Sequence, residues 1–444
     1  MTRSAFGLGM AAAMISLPLA AVGPDVNLPA PIDPSEYRAV DPALASLGQL
    51  LFYDPILSGN RNISCGTCHH PNFGTGDGVS LSLGEGGVGL GPDRVASTDN
   101  RPEERIPRHA PALFNLGHAD FTTLFHDGRI EVDPTRPSGL RTPMGTEMEA
   151  GFASLLSAQT MFPVLSPDEM AGHYSENEIS RAVRMGLITG DDGAWDLLTD
   201  RLEVIPAYRA AFVQAFDLAP DDHIRFTQVS DAIAAFMELE WRADNSPFDR
   251  YLRGELPLDA AAMTGMTLFY GAAGCSACHS GAFQTDHDFH ATGLVQFGPG
   301  KRARFQDHRE DRGRFGVTGA PEDLYAFRTP SLRNVIETAP YGHTGAYAEL
   351  RDFLQAHRTP RAAWDMYDPA LTTTPVLEED TFAPLADLAA RDAILAQVPF
   401  PDQPLTEAEL AALTAFLAAL TDPQSITGRL GVPEDVPSGL PVDR

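Results

Sequence analysis

The chain is short of positive charge, of cysteine and of tryptophan. Lysine and arginine number 32 against 60 aspartates and glutamates in 444 residues, a formal net charge of −28. That balance argues against a nucleic-acid partner and against docking on an anionic membrane surface. It suits a well-solvated protein that attracts a partner with a basic face. The one long apolar run, Ala5 to about Val22, is interrupted by Pro18 and is marginal as a membrane span. Met1-Thr2-Arg3 precedes it and Ala20-Ala21 close it, so residues 1–22 read as a secretory signal. This predicts export to the periplasm and a protein that is not integral to the membrane. No cysteine lies near this segment to carry a lipid anchor. Strand signals are sparse, and a mainly helical fold is expected.

All four cysteines fall in two copies of one motif. Cys65-Gly66-Thr67-Cys68-His69 and Cys275-Ser276-Ala277-Cys278-His279 both read C-x-x-C-H. In that motif the two thiols form thioether bonds to haem vinyl groups and the adjacent histidine ligates the iron. A thioredoxin-like redox pair has no need of histidine after both pairs, and a zinc site of four thiolates would leave the histidines unexplained. No cysteine remains for a disulfide. The pattern predicts two covalently bound haem c groups, with His69 and His279 as iron ligands.

The chain divides around these motifs. A Pro-rich linker, residues 23–40, follows the signal. A first haem domain is expected over 41–245 and a second over 246–444, joined near Asn245-Ser246-Pro247. Leu47 to Phe52 predicts a short helix leading to the first motif. Gly74 to Pro102 is rich in Gly, Asp and Ser without a period and reads as a loop on the open side of the first haem. Asp133 to about Gly151 reads as a surface excursion. Helical periodicity is clear over Thr227–Trp241 and over Thr406–Leu420, the latter with Thr406 as N-cap and Glu409 at capping-box spacing. Each of these helices ends a segment containing one motif. The expected architecture is therefore two cytochrome c-like haem domains packed together, with long loops and little β-structure.

Taken in order, the motifs resemble those of the bacterial di-haem cytochrome c peroxidase family, which includes the MauG-type enzymes. The resemblance covers nearly everything after residue 40. It rests on Leu57-Ser58-Gly59, on Arg108-His109-Ala110-Pro111, on Phe125-His126-Asp127-Gly128-Arg129 and on Asn245 to Tyr251. It continues through Phe327-Arg328-Thr329-Pro330 to Asn334 and Thr338-Ala339-Pro340-Tyr341. The resemblance implies an enzyme that reduces hydrogen peroxide at the first haem. Electrons would come from a small soluble donor, a c-type cytochrome or cupredoxin, and enter through the second haem. The alternative within the same family is oxidation of a residue on a partner protein.

The resemblance also assigns residues. Gln159, Pro163 and Glu169 keep the family's distal spacing, with Glu169 as acid–base catalyst, Gln159 as its positioning partner and Pro163 as part of the distal wall. Read without the resemblance, Glu169 is a helix-capping residue after Ser166-Pro167. Many members block the first haem with a histidine about sixteen residues after the proximal one. Here Glu85 occupies that offset and no histidine lies between Phe73 and Val95, so the first haem is expected to be open when oxidised. The sixth ligand of the second haem, counted from Pro340-Tyr341-Gly342-His343, falls on His357, with Met366 as competitor and Tyr347 at the wrong offset. Arg328 and Arg333 are candidates either for the haem propionates or for surface ion pairs. The family's inter-haem Trp is His126 here, and the Trp that MauG-type members carry two residues before the second motif is Ala273. A calcium ion is implied between the domains, on the carbonyls of Thr338 and Pro340. Its Asn ligand is replaced by His109, a poor ligand for a cation that prefers oxygen.

Overall fold

The structure is a computed structural model that describes residues 26–173, 175–301 and 309–444. The expected signal, residues 1–22, lies outside the described residues. Among the described residues no helix is long and apolar enough to cross a membrane. The fold is mainly helical. Its strands are two or three residues long: β1 (Gly87–Val88) pairs with β2 (Val95–Ala96), β3 (Thr123–Leu124) with β4 (Ile130–Val132) and β5 (Leu140–Arg141), and β6 (Phe289–His290) with β7 (Phe327–Arg328), all antiparallel.

The same crossing of two helices is built twice. Helix α1 (Pro42–Tyr53) starts from Asp41, whose carboxylate accepts from the Ala43 N–H, with Pro42 at the first helical position. It leads towards the first cysteine pair and crosses α3 (Phe226–Glu240). At the crossing a Cβ on Gly48 would lie 1.8 Å from the Ala232 carbonyl oxygen. In the second half α4 (Ala260–Phe269) crosses α6 (Glu407–Ala418), and a Cβ on Gly265 would lie 1.9 Å from the Ala412 oxygen. Glycine at each crossing brings the backbones together, and aromatic rings lock the contact. Phe52, Phe236 and Trp241 meet with centroids 5.1–5.3 Å apart in the first unit. In the second, Phe416 meets Phe248 at 5.2 Å and Phe269 at 5.1 Å. The capping box of α6 forms as its sequence predicts: the Thr406 N–H donates to Glu409 and the Glu409 N–H to the Thr406 hydroxyl.

Two segments depart from their sequence reading. Part of the Pro-rich linker is packed rather than free: Ile32 and Tyr37 are buried, and the Tyr37 hydroxyl donates to Asn115. The end of the chain returns to the first unit, where Val436, Leu440 and Val442 join its apolar core and Asp443 accepts from the Thr67 hydroxyl inside the first motif.

Candidate active site

Each cysteine pair lies on a short helical turn that aims the histidine after it. Cys65–Cys68 form one such turn, with Ser64 before it donating its N–H to Thr67. Gly66 packs on the ring of Tyr53, where a Cβ would stand 2.3 Å from Cδ1. None of the four cysteines forms a disulfide. His69 Nδ1 lies 2.8 Å from the Thr75 oxygen, and His279 Nδ1 lies 3.0 Å from the Gln284 oxygen. A carbonyl only accepts, so Nδ1 carries the proton and Nε2 is left as the ligand nitrogen. Burial lowers the pKa of both imidazoles and keeps them in the neutral form that binds a metal. Paired thiols, a neutral histidine and a fixed tautomer at both motifs fit a covalently held haem.

Behind the second motif His357 sits near the end of α5 (Leu350–Arg358). Its ring centroid is 6.4 Å from that of His279. Two imidazoles bound on opposite faces of one metal, each nitrogen about 2 Å away, put their ring centres roughly 6 Å apart. Burial and the neighbouring His279 push the His357 pKa down to about 4. Phe353 stacks on it at 5.5 Å. Met366, the competing candidate, is 74 % exposed. Tyr347 is buried among Phe353 and Tyr367.

Beside the first motif, Glu169 stands on a single wide turn, Pro167–Ala171, capped by the Ser166 hydroxyl, which accepts from the Glu169 N–H. The local reading of a capped turn after Ser166-Pro167 is thus present, with Ser166 as the cap. Burial raises the Glu169 pKa above the usual 4.5, and the nearby cations Arg129 and Lys301 oppose the rise. Arg129 lies over the Phe125 ring at 3.5 Å and bonds Asp127. Gln159, near the end of α2 (Leu155–Thr160), and Pro163, which opens the turn Pro163–Leu165, precede it. One expectation is corrected: no hydrogen bond joins Gln159 to Glu169 among the described residues, and the buried Gln159 Oε1 has no partner. The Glu169 main chain is held by the Ser166 hydroxyl of its own turn. Glu85 is buried too, accepting from three asparagine side chains.

Arg108, Asp127 and Asp311 form a buried charged cluster. Arg108 holds Asp311 with two bonds of 2.6 and 2.8 Å and Asp127 with one of 2.7 Å. His126 is neutral: burial and Arg108 push its pKa down to about 3, and its Nε2 is 3.1 Å from the His109 oxygen. Arg328 donates to the Phe125 and Thr329 carbonyls, has no carboxylate partner among the described residues, and is pushed by burial down to about 10. Arg333 behaves differently from its sequence reading. It is fully buried against Asp249 at 2.8 Å and also donates to Ser246 and to the Ala282 carbonyl, so it makes neither a surface pair nor a free propionate clamp. The residues at the expected calcium position do not fit that ion. The His109 imidazole offers no oxygen, and its Nδ1 is taken by the Val79 carbonyl at 2.9 Å.

Sequence reasoning missed three members of this region. Asp311 is far from Arg108 in the chain and carries no motif. Lys301 carries none either, and it is felt at Glu169 only through the fold. His343 served only as a counting mark in its motif. Its ring stacks on Phe327 at 4.0 Å, and both its nitrogens are buried without a partner.

Residues 42–256 match the profile of the di-haem cytochrome c peroxidase family. The methylamine utilization protein MauG of Methylorubrum extorquens is 30% identical over 337 residues, 76% of this chain and 74% of that protein. The cytochrome c551 peroxidase of Pseudomonas aeruginosa is 32% identical over 308 residues, 69% of each chain. Among solved structures, a MauG-like protein associated with microbial copper homeostasis superposes with a TM-score of 0.58 at 25% identity, covering 95% of this chain and 99% of that one. The diheme peroxidase BthA from Burkholderia thailandensis shares the fold at a TM-score of 0.56 and 22% identity, over 94% of each chain.

Proposed function

This chain belongs to the di-haem cytochrome c peroxidase family and is an oxidoreductase built for two c-type haems, and from that premise we propose that it reduces hydrogen peroxide to water beside His69. Cys65 and Cys68 hold the first haem and Cys275 and Cys278 the second. When bound, the haems supply an iron that accepts peroxide and a store for the electrons that reduce it.

The observation that carries the reading is Glu169: a half-buried carboxylate whose pKa is raised by desolvation, a rise that the Arg129 cation opposes, together with Gln159, whose buried Oε1 has no partner. Cleaving the O–O bond requires a proton to leave one oxygen and reach the other, and a carboxylate with a raised pKa does both. Gln159 orients the peroxide by hydrogen bonding, and Pro163 closes an apolar wall. No described residue between Phe73 and Val95 is a histidine, so nothing in that loop competes with peroxide for the open face. Two protons and two electrons are consumed per peroxide. The electrons enter at the second motif, where His279 and His357 would hold the second haem. Ligation by both residues would keep that site rigid during electron transfer. Arg328, half-buried and without a carboxylate partner among the described residues, would be offered to a propionate. The donor is a small soluble redox protein, a c-type cytochrome or cupredoxin with a basic face suited to the chain's net charge of −28. The enzyme works in the periplasm.

A second reading has a specific warrant in the similarity to MauG: the oxidising equivalents modify a residue on a partner protein. Ala273 opposes it, since no indole stands before the second motif to relay them.

The experiment starts from fully oxidised, haem-loaded protein, with reduced c-type cytochrome in large excess and hydrogen peroxide added. Many rapid turnovers without prior reduction are expected. No turnover, with a long-lived spectral change on peroxide addition, would overturn the peroxidase reading in favour of partner oxidation.

A further inference from the structure

The turn that carries Glu169, Pro167–Ala171, is closed by its own bonds: the Glu169 N–H donates to the Ser166 hydroxyl, the Met170 and Ala171 N–H groups to the Ser166 carbonyl oxygen, and the Gly172 N–H to the Pro167 oxygen. Three of its carbonyls are also fixed from outside. The Asp168 oxygen accepts from the Glu85 N–H at 2.9 Å, the Met170 oxygen from the Gly59 N–H at 2.7 Å, and the Ala171 oxygen from the Asn177 side chain at 3.0 Å.

Glu85 ties these supports together. It is 1 % exposed, and its Oε1 accepts from the side-chain amides of Asn60 at 2.8 Å, Asn62 at 2.8 Å and Asn100 at 2.7 Å. Asn60 in turn accepts from Asn177, the residue that holds Ala171. The peptide before Glu85 is equally fixed. Arg94, itself buried, donates to the carbonyls of Leu83, Gly84 and Gly89. A Cβ on Gly84 would lie 2.1 Å from the Asp168 oxygen, so the two loops touch backbone to backbone. Three amide donors on one buried carboxylate are charge-assisted hydrogen bonds, about twice as strong as neutral ones. Nothing in the reaction uses this carboxylate.

We propose that Glu85 is a positioning residue for Glu169: the Glu85–asparagine cluster braces the Asp168–Ala171 turn and holds the Glu169 carboxylate in register with bound peroxide. The inference rests on the acid–base role of Glu169. It converts a loop without a histidine ligand into a fixed support. Geometry of this kind matters steeply in catalysis, since a misplacement of about 1 Å can cost about a hundredfold in rate.

The test uses the holoprotein and four variants: E85A, E85Q, E169Q and E85A/E169Q. The readouts are hydrogen exchange of the segment spanning 166–172 and the second-order rate constant for reaction with hydrogen peroxide. In E85A, faster exchange confined to 166–172 is expected, with a rate loss of at least tenfold and full haem content. E85Q keeps an Oε1 acceptor and should recover most of both. In the E169Q background E85A should cost less than threefold further, because a residue acting through another adds nothing once that one is gone. Unchanged exchange at 166–172 in E85A would overturn the brace. A rate loss of E85A that persists in full on top of E169Q would overturn its action through Glu169. If E169Q alone reacts at the wild-type rate, the acid–base reading fails instead, and the exchange result still decides the brace.

Discussion

His279 and His357 face each other across 6.4 Å, their ring planes inclined at 63°. The rival candidates lie elsewhere. Met366 lies on the surface, and Tyr347 is packed away with Phe353 and Tyr367. Replacing His357 with Ala is expected to turn the second haem from low to high spin in the ferric absorption and electron paramagnetic resonance spectra, whereas M366A leaves them unchanged. An unaltered spectrum in H357A would exclude the ligand.

Glu169 is expected to govern the reaction with peroxide. E169Q should slow it by about 10²–10⁴-fold, the usual contribution of a positioned acid–base group. The pH dependence follows from its raised pKa. The carboxylate must be ionised to take the first proton, so the rate rises with pH through a value above 4.5 and is lost below it. Stopped-flow rates across the pH range check both points, and an acid limb that persists in E169Q would assign it to another group.

The glycines at the two helix crossings should be intolerant of a methyl group. In G48A and G265A the new Cβ meets a main-chain oxygen at 1.8 and 1.9 Å, so the helices must separate. Overpacking of this kind costs about 1–3 kcal/mol, occasionally more. G316A meets nothing within 4 Å and should stay within about 0.5 kcal/mol of the parent. Urea unfolding of the holoproteins compares the three.

Arg108 is expected to be structurally indispensable. Its guanidinium satisfies Asp311 and Asp127, both almost wholly buried. R108A strands Asp311 in the interior and leaves Asp127 only its longer contact with Arg129, and breaking one buried pair costs about 3–5 kcal/mol. R108K should rescue little, because an ammonium cannot reproduce the two-pronged contact with Asp311. Thermal denaturation monitored at the haem bands reports the loss.

Much of this protein was legible in its sequence where the chemistry is contiguous. Cysteines separated by two residues and followed by histidine specify covalent attachment by themselves, since one turn of chain brings all three groups to the same haem. The terminal helices were legible because their apolar period and the Thr406–Glu409 box are local. Glu169, Gln159 and Pro163 were legible only through resemblance, because a carboxylate on a surface turn and one in a pocket look alike in sequence.

What tertiary structure decided concerns partners far apart in the chain. Arg333 looked like Arg328 until packing set Asp249 against one and only carbonyls against the other. Asp311 reaches Arg108 across about half the chain's length, and Glu85 meets Asp168 through a backbone contact that no side-chain pattern encodes. His357 and Met366 were both within reach by counting; burial separated them. The sequence by itself determined which bonds the chain makes to its haems, because those groups are covalent neighbours. The fold alone decided which charges are spent on the scaffold and which remain for chemistry, because burial and pairing are properties of the packed molecule.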